Sequence, residues 1–331
     1  MALAPQQERL AWVDTARGIG IILVVYGHAL RGHVTSGAFD PAWHADIQDA
    51  VIYSFHMPLF FFLAGLFAKR SVAKGATLFL RDKAVTLVYP YFLWSVVSIL
   101  LGMTAALAVN NAHQSTDIFN LWRTPVYQYW FLYALLICQV VALMTTADWR
   151  ITAGLCLLSA VFGGGSALGM ITIAFGFYLY FGLGVLLAPR LADLHFRRVI
   201  LISAVLLMSF MFAATYLIDH ALSARLIAIA RASLGGAAVI ALAMLCAPHA
   251  RWLTIIGTAS MAIYVLHTIF SSGLRMALHA AGYSNNFVAL VLGTFVGLAG
   301  PMVVWAIARR YGLLPWFGLG TPLRLKQERA A

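Results

Sequence analysis

Charge is what this sequence has least of. Only 10% of its 331 residues are Asp, Glu, Lys or Arg, against about 25% in an average soluble protein, and that shortage excludes a water-solvated globular surface. Cysteine is nearly absent too: Cys138, Cys156 and Cys246 are the only three, each inside an apolar run. They form neither a disulfide framework nor a CxxC metal pair, and read as small core residues. The hydrophobic stretches lack any alternation of apolar and polar residues, which argues against an outer-membrane barrel. No small-residue cleavage site follows the first apolar segment and more such segments come behind it, so a signal peptide is not expected. A net charge of +11 invites a nucleic-acid reading, yet no soluble domain exists to carry a basic face. Membrane topology is the better account.

What is abundant is apolar: 62% of the residues are hydrophobic and the mean hydropathy is +0.87. Helices of about 20 residues span a bilayer, and ten candidate runs are found near 15–31, 47–67, 87–109, 127–145, 151–167, 169–188, 199–218, 227–247, 253–274 and 287–308. The expectation is an all-α integral membrane protein, a single transmembrane domain over residues 1–331 with about the last 20 as a cytoplasmic tail. With the N-terminus in the cytoplasm, the inner side receives Arg9, Lys69, Arg70, Lys74, Arg81, Lys83, Arg150, Arg190, Arg197, Arg198, Arg251, Arg309, Arg310, Arg324, Lys326 and Arg329. That distribution satisfies the positive-inside rule. The outer side keeps Arg31, Arg123, Arg225 and Arg275 beside Asp40, Asp46, Asp49, Asp117 and Asp219. Both termini are therefore placed inside. The longest loops expected are 32–46 and 110–126 outside and the basic segment 68–86 inside. Gly293, Gly297 and Gly300 have the small-residue spacing of close helix packing.

Titratable groups at bilayer depth are costly and by default functional. Arg17 and His28 stand eleven residues apart, within roughly 20° on one face of a helix, and Asp14 lies about 40° off on the same side. One stripe thus carries an acid, a base and, roughly 16 Å further up, an imidazole. Arg17 alone also reads as a snorkelling end residue, and His28 as a structural histidine. At about 1.5 Å per residue, His28, His56 and His267 lie about 20, 17 and 21 Å from the inner ends of the first, second and ninth segments, so all three share a level. Three imidazoles are a conceivable zinc site, but no carboxylate second shell is visible and no metal is expected. Pro58, two residues after His56, interrupts the backbone ladder, which is tolerable only against protein or a wet cavity. The inner residues Arg70, Lys74, Arg81 and Lys83 read either as positive-inside anchors or as a phosphate-binding mouth.

Four motifs then carry a resemblance: Trp12 to His28 (WVDTARGIGIILVVYGH), Phe55 to Gly65 (FHMPLFFFLAG), Tyr129 to Tyr133 (YWFLY) and Ala262 to His267 (AIYVLH). Their order and spacing resemble membrane acyltransferase family 3, the bacterial O-acyltransferases that modify surface sugars and related acceptors, and the first two are closest to its fucose 4-O-acetylase-like branch. Ala64 departs from the Ser that often precedes the glycine. The resemblance implies a multi-pass protein of the bacterial inner membrane that moves an acyl group, most simply acetyl, from cytoplasmic acyl-CoA (acetyl-CoA) to a hydroxyl of a sugar, surface-glycan or lipid-linked acceptor. It implies His28 as general base or as the acylated group, Arg17 on phosphate or thioester carbonyl, and Asp14 orienting Arg17. His56, Trp130, Tyr133 and His267 become substrate-binding, and Arg81 and Lys83 join Arg17 on the CoA phosphates. From the residues alone a secondary transporter or proton-coupled permease stays open, since buried histidines and a Pro-kinked helix describe one equally.

Overall fold

The computed structural model describes residues 5–35, 45–104, 117–163, 169–192, 198, 200–209, 224–283 and 285–320. Every regular element among them is helical. In chain order these are α1 (Pro5–Thr35), α2 (Ala45–Gly65), α3 (Ala68–Val72), α4 (Ala76–Lys83), a π turn (Ala84–Val88), α5 (Tyr89–Thr104), α6 (Asp117–Asn120), a 3-10 turn (Tyr127–Tyr129), α7 (Trp130–Met144), α8 (Trp149–Phe162), α9 (Met170–Leu187), α10 (Ile200–Ser209), α11 (Ala224–Cys246), α12 (Arg251–Thr258), α13 (Ser260–Ala280) and α14 (Asn286–Arg310). The all-helical membrane architecture read from composition is therefore the one observed.

Among the described residues eight stretches are long and apolar enough to cross a membrane. Two of the ten expected segments are not among these eight. The run 151–167 corresponds to α8, 14 residues or about 21 Å, with 164–167 outside the described residues, and 199–218 is described only over α10, 199 and 210–218 lying outside. The basic segment 68–86, expected as a loop, is almost wholly helical. There α4, the π turn and α5 run as one stretch, and the ladder widens just before Pro90, which has no N–H to give four residues back. Residues 36–44 and 105–116 of the outer loops, and Asp40, Arg197, Asp219, Arg324, Lys326 and Arg329 of the charge census, lie outside the described residues. Part of the expected tail is docked: the Tyr89 hydroxyl donates to the Trp316 carbonyl at 2.6 Å and the Trp94 indole to that of Phe317 at 2.9 Å.

Helix α1 is the hub, packed against α2, α11, α12, α13 and α14. Its tightest contact is with α12, where the two backbones touch: a side chain at Gly257 would overlap the Asp14 carbonyl, and one at Gly18 the Leu253 carbonyl. The Thr15 and Thr254 hydroxyls meet there at 3.0 Å. This contact explains the main boundary correction. The expected ninth segment, 253–274, is two helices that break at Ala259 (φ −90°, ψ 2°), because the amphipathic α12 lies along α1 instead of continuing into α13. His267 accordingly stands seven residues, about 10 Å, into its helix. Of the small-residue stripe, Gly297 packs against Val25 and the His267 backbone and Gly300 against Phe270, whereas Gly293 has open space around it. Cys138 and Cys156 are buried and Cys246 is partly exposed, all as free thiols.

Candidate active site

The residues that read as one stripe on α1 are dispersed along it by the helical rise. In its N-terminal half Arg17 Nη1 bonds the Asp14 carboxylate at 2.9 Å, and the guanidinium lies 5.7 Å from the centre of the Phe67 ring, just past the end of α2. Only Nη1 of its donors is taken by Asp14. A turn further on, Ile21 and Val24 line a cavity of about 80 Å³ together with Met57 and Phe60 of α2, Phe131 of α7, and Ser260, Met261 and Tyr264 of α13. One water needs roughly 10–15 Å³ of such space, so the cavity admits a small apolar group. Past the cavity along α1, one turn beyond Val24, stands His28.

Three elements bring the histidines together. The ring centres of His28 and His267 are 5.1 Å apart, and Tyr53 joins His28 to His56, at 6.0 Å from the first ring and 4.6 Å from the second. His56 and His267 are almost fully buried. Each is held by the helical backbone itself, His56 Nδ1 at 2.7 Å from the Ile52 carbonyl and His267 Nδ1 at 2.9 Å from those of Ile263 and Tyr264. Carbonyls only accept, so Nδ1 carries the hydrogen in both rings and Nε2 keeps its lone pair. Among the described residues the Nε2 of His267 is buried without a hydrogen-bond partner. No group of three His, Cys, Asp or Glu side chains suited to a metal ion occurs among the described residues.

Several groups set this geometry, of which Tyr129 and Tyr264 stand in the quoted motifs and the others carry no role in the sequence reading. Tyr127, at φ 47°, begins the turn that enters α7, and this strained residue is followed by three clamps on α13. The Tyr264 hydroxyl donates to the Gln128 carbonyl, the Gln128 amide to Thr268 at 3.1 Å, and the Tyr129 hydroxyl to the Val265 carbonyl at 3.0 Å. These bonds fix the rotation of α13 around His267. Near the C-terminal end of α1, Arg31 grips Asp49 through two bonds of 2.6 and 2.8 Å and lies 3.1 Å over the Tyr53 ring. Arg31 could have been found as the residue one turn beyond His28. Nothing in the local pattern marks Gln128 or Tyr53.

Other expected site residues are elsewhere. Trp130 packs on Phe177, 5.4 Å between centres, and the Tyr133 hydroxyl holds the Trp122 carbonyl at 2.9 Å; neither lines the cavity or touches a histidine ring. Arg81 is exposed at the end of α4 and Lys83 lies 5.2 Å from the Phe79 ring.

Comparison with known proteins agrees with the motifs. The family described as an acyltransferase domain matches residues 10–306. The chain is similar to Nodulation protein NolL of Sinorhizobium fredii, 36% identical over 128 residues, which is 37% of this chain and 33% of that protein. It is also similar to Nodulation protein NolL of Mesorhizobium japonicum, 26% identical over 149 residues, 45% and 39% of the two chains. The chain thus matches between a third and two fifths of the length of these curated relatives. No solved structure matches it.

Proposed function

This chain belongs to membrane acyltransferase family 3, and on that premise we propose that it moves an acyl group, most simply acetyl, from cytoplasmic acyl-CoA to a hydroxyl of a sugar or lipid-linked glycan at the outer half of the bacterial inner membrane. The observation that carries the reading is the order along α1: a guanidinium with free donors, then an apolar cavity, then an imidazole among other imidazoles. A donor too polar to cross the bilayer would stay on the basic side with its phosphates on Arg17, Arg81 and Lys83. Its thioester would reach up so that the acyl group sits in the cavity beside Ile21, Val24 and Phe131.

In this scheme the free imidazole nitrogen of His28 takes the proton of the acceptor hydroxyl as its oxygen attacks the thioester carbonyl. The C–S bond breaks, the CoA thiolate leaves, and the imidazolium returns the proton to it. The lone pair on His267 Nε2 is available to the other N–H of His28, which would fix its tautomer as the orienting partner does in a catalytic triad. His56 and Tyr53 would hold the acceptor, and Asp14 would orient Arg17. Trp130 and Tyr133, whose ring face and hydroxyl are engaged by neighbours, enter as supports of α7 and not as direct substrate contacts.

The test is release of free CoA by detergent-purified protein given acetyl-CoA and candidate sugars, with His28→Ala beside it. General-base loss costs about 10² to 10⁴ in rate. A folded His28→Ala protein that keeps more than about a tenth of the activity would rule out the role, and a wild-type protein that releases no CoA would rule out acyl transfer.

A further inference from the structure

Near the C-terminal end of α1 lie two guanidiniums in opposite electrostatic states. Arg31 is neutralised by the two-bond grip on Asp49. Arg275, half-buried on the outer part of α13, has no hydrogen bond or ion pair among the described residues, where the two ion pairs are Arg17 with Asp14 and Arg31 with Asp49. Its position is nonetheless defined. The guanidinium rests on the Cα of Gly32, and any side chain at position 32 would overlap Nη1. Gly32 lies four residues beyond His28, so the guanidinium sits about one helical turn, roughly 6 Å, outward of the imidazole on nearly the same face of α1.

Arginine keeps its charge at every physiological pH and presents a planar fork that matches phosphate and carboxylate oxygens. A buried or half-buried cation without a partner is costly. A fold that keeps one on Gly32, one turn beyond the proposed base, is suited to an acceptor that brings the counter-charge itself. Resting on the acyl-transfer reading above, we propose that Arg275 binds an anionic group of the acceptor, a phosphate or carboxylate carried about one sugar ring away from the hydroxyl that is acylated. An anomeric phosphate of a glycosyl phosphate and the carboxylate of a uronic acid both meet that requirement.

The experiment is phenylglyoxal labelling of the purified protein in dodecyl maltoside, read at Arg275 by peptide mass spectrometry with the paired Arg31 as internal reference. Glucose 1-phosphate, glucuronic acid and methyl glucoside are the probes. Arg275 is expected to label, and to be protected by one or both anions, about tenfold at ten times the dissociation constant, with no protection by the neutral glycoside. The anion that protects names the source. No labelling, no protection by either anion, equal protection by methyl glucoside, or protection by added phosphatidylglycerol alone each overturns the proposal. A second readout covers variants: the protecting anion should raise the Tm of wild-type protein, raise it less in Arg275→Lys and not at all in Arg275→Gln. An unchanged rise in Arg275→Gln overturns the site. Neither readout needs the donor. Anion protection without CoA release therefore removes the acyl-transfer reading alone, and CoA release without protection removes only the anion site.

Discussion

The proposed orientation of His28 by His267 makes a prediction that separates a positioning residue from a substrate-binding one. His267 Nδ1 is committed to the Ile263 and Tyr264 carbonyls, so its Nε2 lone pair is the only part it can offer, and the His28 ring lies 5.1 Å away, centre to centre. His267→Phe keeps a ring of similar size and removes that acceptor. In the proposed scheme that acceptor holds the His28 N–H in the reacting complex, and a buried donor left without its partner costs about 1–3 kcal/mol. If the cost falls on the productive orientation of His28, the rate drops by roughly 5- to 150-fold, since each 1.36 kcal/mol is a factor of ten. His267→Gln puts an amide oxygen near the position of Nε2 and should recover much of the loss. The assay is steady-state CoA release with acceptor varied, on variants matched for thermal stability and monodispersity. A positioning role lowers kcat and leaves the acceptor KM nearly unchanged, with Gln above Phe. A Phe variant within twofold of wild type, or a loss confined to KM, would refute the reasoning.

Three further outcomes follow from named contacts. Arg17→Lys keeps the charge and the reach to Asp14 but loses the planar fork; about 1.5–3 kcal/mol of catalytic efficiency should go, the worth of a charge-assisted hydrogen bond, whereas Arg70→Gln at an exposed site should lose little, and equal small losses would reduce Arg17 to an anchor. Gly257→Ala drives a methyl into the Asp14 carbonyl and should cost about 1–3 kcal/mol by overpacking, read as a lowered Tm; an unchanged Tm would show that the α1–α12 contact is slack. For topology, a Cys246→Ser background carrying a cysteine at exposed Tyr283 should react with an impermeant thiol reagent in intact cells, and one at exposed Lys74 only after lysis. The reverse pattern overturns the orientation and the donor side with it.

The class of this protein follows from composition, because a chain with so little charge and such long apolar runs has no soluble surface to form. The Asp14, Arg17, His28 stripe is equally legible, since the helical period relates residues eleven apart by arithmetic alone. So are the four motifs that announce the family. Neighbour relations are another matter. Helices that are apolar nearly all round carry no signal for which face turns inward, so no sequence pattern says that Tyr53 would stand between His28 and His56, or that Trp130 would face Phe177 and not the cavity. The break at Ala259 was hidden for the same reason: residues 253–274 read as one run, and only the backbone contact of Gly257 with Asp14 turns the first part aside onto α1. Arg275 shows the limit most plainly. Its helix position is evident from the sequence, but only the packing of α13 against α1 lays its guanidinium on Gly32, far away in the chain and one turn beyond His28. Local periodicity fixes what lies along a helix, and packing decides what lies across from it.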